Sequence, residues 1–64
     1  MAALKNKRHE KFCHEYIKDM NAKQAAIRTG YSEKSAESQS SRLLRNDKVK
    51  KRVAELRDAY FNEN

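Results

Sequence analysis

One glycine, Gly30, and no proline occur in these 64 residues, and that scarcity constrains the fold more than any other feature. Proline and glycine are the residues that most readily break a helix. The backbone is therefore free to be helical almost throughout, with one punctuation point near its middle. The apolar pattern agrees. Phe12, Cys13, Tyr16, Ile17 and Met20 step alternately by one and three residues, which draws one stripe along a helix of 3.6 residues per turn. A strand would need strict alternation. A chain of this length holds one domain and buries only about 60% of its unfolded surface. Helices suit that limit because they satisfy their backbone groups locally. The expected fold is all-α, a small three- to four-helix bundle.

Capping residues set the boundaries. Asn6 can N-cap a first helix running to about residue 19, which leaves residues 1–5 as a flexible tail. Asn21 can cap a short helix over 22–29, in which Ala22, Ala25 and Ala26 let a neighbour approach closely. Two turns do not persist alone, so this segment needs packing. Gly30 stands where that helix must stop, at a position that often takes the left-handed conformation. Tyr31 is an apolar anchor in the turn, and Ser32 with Glu33 starts a third helix over 33–45. On it Ala36, Ser40, Leu43 and Leu44 fall on one side. Lys34, Ser35, Ser38, Ser41, Arg42 and Arg45 fall on the other, with Glu37 and Gln39 at the boundary. Asn46 caps a fourth helix from 47 to about 60, where Val49, Val53, Leu56 and Tyr60 make a coiled-coil-like seam. Val49, Val53 and Leu56 read best as closing the bundle. Tyr60 and Phe61 are left open between the bundle and an oligomerising segment.

The formal net charge is +6, from fifteen Lys and Arg against nine Asp and Glu. The excess concentrates in residues 1–11 and 21–46, each carrying +3. Such an excess suits a polyanionic partner, because each neutralised phosphate releases counterions. Charge kept for solubility alone would look similar. Cys13 is the only cysteine, so no internal disulfide can form, and a reducing cytosol fits. No signal-like N-terminus and no run of about 18–20 apolar residues is present, so no membrane role is expected.

A short helix, a glycine turn and a second helix with a basic, hydroxyl-rich outer face describe a helix-turn-helix over residues 21–45. Ala26, four residues before the glycine, lies where the two helices touch, and Ala36 lies where the second turns inward. In this arrangement the second helix enters the major groove of double-stranded DNA with its N-terminal residues at base edges. Lys34, Ser35 and Ser38 are the first-turn contacts, with Ser41 on the same face. Arg42 and Arg45 can pair with guanine or bind phosphate, and Gln39 can pair with adenine. Lys23, Arg28 and the basic start of the first helix, where Lys7, Arg8 and Lys11 gather, would hold phosphates. A solvated helix face is the alternative for each of them.

At this point the chain resembles the N-terminal DNA-binding domain of bacteriophage terminase small subunits. The resemblance rests on Lys11-Phe12-Cys13-His14-Glu15-Tyr16, on the run from Asn21-Ala22-Lys23-Gln24-Ala25-Ala26 to Thr29-Gly30-Tyr31-Ser32, and on Ser41-Arg42-Leu43-Leu44-Arg45-Asn46-Asp47-Lys48-Val49. The paired alanines followed by Gly-Tyr-Ser are the distinctive part. The resemblance implies recognition of the packaging start site on viral DNA in the host cytoplasm. It also implies recruitment of a large terminase subunit and assembly as a homo-oligomer through a region after the DNA-binding domain. Members look longer than this chain. Residues 6–46 would then be the DNA-binding domain and 47–64 a helix leading toward an oligomerisation region. One departure is Asp47, where the family often has proline after the capping Asn; Asp also suits a first helical turn.

Other chemistry is weak. His9-Glu10-Lys11-Phe12-Cys13 imitates part of a zinc-protease pattern, but no third ligand follows, and Cys13 lies in the apolar stripe. His14 beside Cys13 makes no nucleophile pair, since adjacent helical residues point about 100° apart. No glycine-rich phosphate loop occurs, so no enzyme, metal or cofactor is expected. A basic amphipathic helix on a membrane is less economical than burial against partner helices with matching faces. Two competing functions remain. One is a different helix-turn-helix protein, repressor- or transposase-like. The other is a helical protein-interaction module whose charge only confers solubility.

Overall fold

Four polar side chains start four helices. The computed structural model describes residues 4–62, with the backbone alone for Asn62. Asn6, Asn21 and Ser32 each sit in extended backbone, and their side chains accept from Arg8 and His9, from Gln24, and from Ser35 respectively. Asn46 Oδ1 accepts the N–H of Lys48 at 2.9 Å and of Val49 at 3.4 Å. Each cap satisfies donors that the first helical turn leaves orphaned. The helices are α1 (Lys7–Asp19), α2 (Ala22–Thr29), α3 (Glu33–Arg45) and α4 (Asp47–Asn62). The expected all-α bundle is therefore present, and α4 extends two residues beyond the expected end.

The terminations differ in kind. Gly30 closes α2 at φ 119°, where its N–H reaches the carbonyls of Ala26 and Ile27, and the N–H of Tyr31 also reaches Ala26 O. Met20 closes α1 in the left-handed region at φ 58°, with its N–H 2.7 Å from Tyr16 O. Met20 therefore leaves the apolar stripe to which its spacing assigned it and is 42% exposed. The helix ends at Asp19, so the periodicity no longer governs where the next side chain points.

α1 packs on α2 and α4, α2 on α3, and α3 on α4. The core is Phe12, Cys13, Ile17, Ala25, Ala26, Ala36, Leu43, Val49 and Val53. Ala25, Ala26 and Ala36 are fully buried, which lets α2 and α3 approach closely across the turn. Val49 and Val53 close the bundle, with Leu56 packed against it, as the seam predicts. Tyr60 and Phe61 are each 56% exposed and stack edge-to-face on one another. Of the tail expected over residues 1–5, residues 1–3 lie outside the described residues. Leu4 packs against the core, and its N–H donates to Glu10 Oε1 at 3.1 Å.

The two buried polar residues among those described are satisfied: Thr29 donates to Ala25 O and Ser40 to Glu37 O. The Cys13 thiol is fully buried and faces Val49 O at 3.9 Å. Burial, with the Glu10 carboxylate adding to it, pushes this thiol up to about 11.

One ion pair joins the ends of the fold. Glu10 on α1 receives Arg52 of α4 through Nε at 2.9 Å and Nη2 at 2.7 Å, with both side chains mostly buried. His14 Nε2 lies 2.7 Å from the same carboxylate. These contacts, the Arg52 hydrogen bonds foremost, lower the Glu10 pKa to about 2. Arg52 also reaches Glu55 at 3.4 Å.

Candidate nucleic-acid interface

α2, the three-residue turn Gly30-Tyr31-Ser32 and α3 form the helix-turn-helix, and α1 and α4 brace it from behind. The inward face of α3 is Ala36, Ser40 and Leu43, with Leu44 half-buried beside them. Its opposite face therefore points to solvent. Lys34, Ser38, Ser41, Arg42 and Arg45 are all exposed there. No ion pair engages Lys34, Arg42 or Arg45 among the described residues. At 100° per residue Lys34, Ser38, Ser41 and Arg45 fall in one narrow strip, with Arg42 at its edge.

Two of the α3 candidates sit differently. Ser35 is half-buried, and its hydroxyl works within the cap, 3.3 Å from Ser32 O and 2.9 Å from Ser32 Oγ. Gln39 is half-buried at the boundary of the face, where its spacing put it.

The remaining candidates separate into two groups. Lys7 and Arg8 project from the first turn of α1, exposed and without an ion pair among the described residues. With Lys11, Thr29 and Tyr31 they line a notch between the start of α1 and the α2–α3 turn. Arg8 lies 5.1 Å above the centre of the Tyr31 ring. Lys23 is exposed on α2. Arg28 is committed elsewhere: its Nε meets Glu15 Oε1 at 2.9 Å, its Nη1 meets Asp19 at 3.3 Å, and its Nη2 meets Glu15 O. The hydrogen bonds Arg28 donates to Asp19 raise its pKa further. Lys18 and Arg28 lower that of Glu15, and Arg28 lowers that of Asp19. This cluster ties α1 to α2 and neutralises most of the charge that Arg28 would offer a phosphate.

The basic start of α1, Lys7, Arg8 and Lys11, is expected from the sequence to hold phosphate, and Tyr31 is expected there only as an anchor. The spacing of residues 7, 8 and 11, three and four apart on a helix, was the available signal. An apolar groove on the opposite end is lined by Tyr16, Met20, Leu44, Val53 and Phe61. Among the described residues no cluster of three potential metal ligands forms. No described helix is long and apolar enough to cross a membrane.

A glycine-turned helix pair with an unpaired cationic face on its second helix defines a small helix-turn-helix module. The chain belongs to the terminase small subunit family, whose model matches residues 6–64. It is 43% identical over 58 residues to the PBSX phage terminase small subunit of Bacillus subtilis (strain 168), covering 91% of this chain and 22% of that protein. It is 49% identical over 51 residues to a terminase small subunit of Staphylococcus phage 80alpha, covering 78% of this chain and 35% of that one. The chain thus spans between about a fifth and about a third of the length of these relatives. No solved structure matches it.

Proposed function

We propose that this chain is the DNA-recognition module of a phage terminase small subunit, which engages the packaging start site on viral DNA and directs a large terminase subunit to it. The observation that carries this reading is the outer face of α3, where Lys34, Arg42 and Arg45 stand exposed beside Ser38 and Ser41, without carboxylate partners among the described residues. Arg28, Arg52 and Lys18, by contrast, are paired with carboxylates. A face kept cationic on the second helix of a helix-turn-helix suits a polyanion in the major groove. Arg42 and Arg45 supply bidentate donors for guanine or phosphate, while Lys34 and Ser38 stand on the first turns, nearest the base edges. Lys23 adds a phosphate contact. Arg28 acts first as a structural tie.

The module works by binding and performs no catalysis itself. Residues 6–46 carry the recognition, and α4 leads toward the region that assembles copies of the small subunit. Its place of action is the host cytoplasm. Assembly would raise the affinity of a single weak module through multivalency.

The experiment is an NMR titration of the protein with duplex DNA at about 50 mM and about 200 mM salt, across which phosphate contacts weaken markedly. Amides of α3 from Lys34 to Arg45 should shift together, and the affinity should fall steeply with salt. A duplex that leaves α3 unshifted at the lower salt would remove the reading.

A further inference from the structure

We infer that the notch between the first turn of α1 and the α2–α3 turn is a seat for the phosphodiester backbone of DNA, with Arg8 held ready on Tyr31 and flanked by Lys7 and Lys11. This rests on the DNA-binding reading above and adds where the strand crosses.

The arrangement is assembled by the turn. Gly30 takes its positive φ, which lets the N–H groups of Gly30 and Tyr31 both reach Ala26 O, at 3.2 and 3.1 Å. Tyr31 is thereby pinned, and its half-buried ring packs against the core beside the first turn of α1. The Arg8 guanidinium lies 5.1 Å above that ring. A guanidinium stacked on an aromatic face loses its freedom to wander, yet keeps its N–H edge free for an anion. None of its donors meets an acceptor among the described residues. Thr29, which also lines the notch, has its hydroxyl committed to Ala25 O at 2.7 Å, so the donors here are the cations.

The charge placement is costly without an anion. Lys7 and Lys11 are four residues apart and Arg8 and Lys11 three, so like charges neighbour one another on the helix surface. All three stand in the first turns of α1, where the helix dipole disfavours cations. The acid nearest in sequence, Glu10, is turned away onto Arg52 and His14. The next, Glu15, is held by Lys18 and Arg28. Among the described residues no carboxylate lines the notch. A phosphate there relieves all of these costs at once. It also fixes the approach of α3, because the notch abuts the turn from which α3 starts.

The test compares the full chain with Arg8→Gln, with Lys7→Gln/Lys11→Gln and with Tyr31→Leu, reading affinity for a mixed-sequence duplex across a salt series. Each lost phosphate contact should reduce the log–log salt slope by about 0.9, so that the affinity lost between 50 and 200 mM salt shrinks about 3.5-fold per contact. Tyr31→Leu should weaken binding several-fold while leaving the slope nearly unchanged, since it removes the platform and no charge. The Lys7→Gln/Lys11→Gln protein should be at least as heat-stable as the parent, an opposite sign that a purely structural role would not produce. If the notch variants keep the parental slope while Arg42→Gln weakens binding, the seat is wrong although the DNA reading stands. If the parent shows no salt-sensitive binding at all, both fall.

Discussion

Replacing Glu10 with Gln is the sharpest probe of how the bundle is held together. The carboxylate accepts three hydrogen bonds from Arg52, at 2.7, 2.9 and 3.1 Å, one from the Leu4 N–H and one from His14. The side chains of Arg52 and Glu10 are only 12% and 16% exposed. The carboxyl falls from 4.5 to about 2, which at 1.36 kcal/mol per unit gives an upper figure of about 3 kcal/mol. Residual solvent screening brings this to about 2 kcal/mol. A 64-residue domain has roughly 3–10 kcal/mol in all, so one substitution removes a large share. The midpoint of thermal unfolding at neutral pH should fall by about 8–16 °C. The pH dependence follows from the sign of the shift. Because the folded pKa is depressed, the stabilisation is complete above about 4.5 and disappears as pH falls toward about 2. Urea unfolding followed by circular dichroism, with Glu10→Gln, Arg52→Gln and the double variant at pH 7 and near pH 2.5, measures both effects. A difference below about 0.5 kcal/mol at pH 7, the size of an ordinary surface substitution, would refute the argument. So would a difference that persists unchanged in acid.

Three further outcomes are expected. Gly30→Ala should destabilise by about 1 kcal/mol or more through backbone strain alone, because a Cβ there meets nothing within 4 Å while φ is 119°; unfolding midpoints check this. Met20→Gly should stabilise by up to about 1 kcal/mol, since a non-glycine residue at φ 58° costs about that much, and urea midpoints will show its sign. Cys13, fully buried with its thiol near 11, should resist thiol reagents at pH 8 in the native protein. It should react promptly in denaturant, which mass spectrometry resolves.

The helix boundaries were legible because what sets them is local. Asn6, Asn21, Ser32 and Asn46 accept from N–H groups two or three residues ahead, and Gly30 answers carbonyls three and four residues behind. All of this lies within one turn, where residue type alone determines the bonding. The inward faces were legible for the same reason: Ala36, Ser40 and Leu43 follow the helical period and are buried. Periodicity misplaced Met20, because it continues only while the helix does.

What the tertiary structure alone decided is which charges remain free. Glu10 and Arg52 are 42 residues apart, and Arg28 meets Glu15 and Asp19 thirteen and nine residues away. Nothing in the spacing marks those cations as taken and Lys34, Arg42 and Arg45 as open. That sorting depends on how closely and at what angle the helices cross, which is set by the contacts of Ala25, Ala26 and Ala36 in the core. Likewise Arg8 finds Tyr31 only because the turn at Met20 and Asn21 packs α2 back along α1, which sets the Gly30 turn beside the start of α1. A sequence carries the full inventory of charge. The packing of small residues between helices decides which of that charge is cancelled and which is left facing solvent.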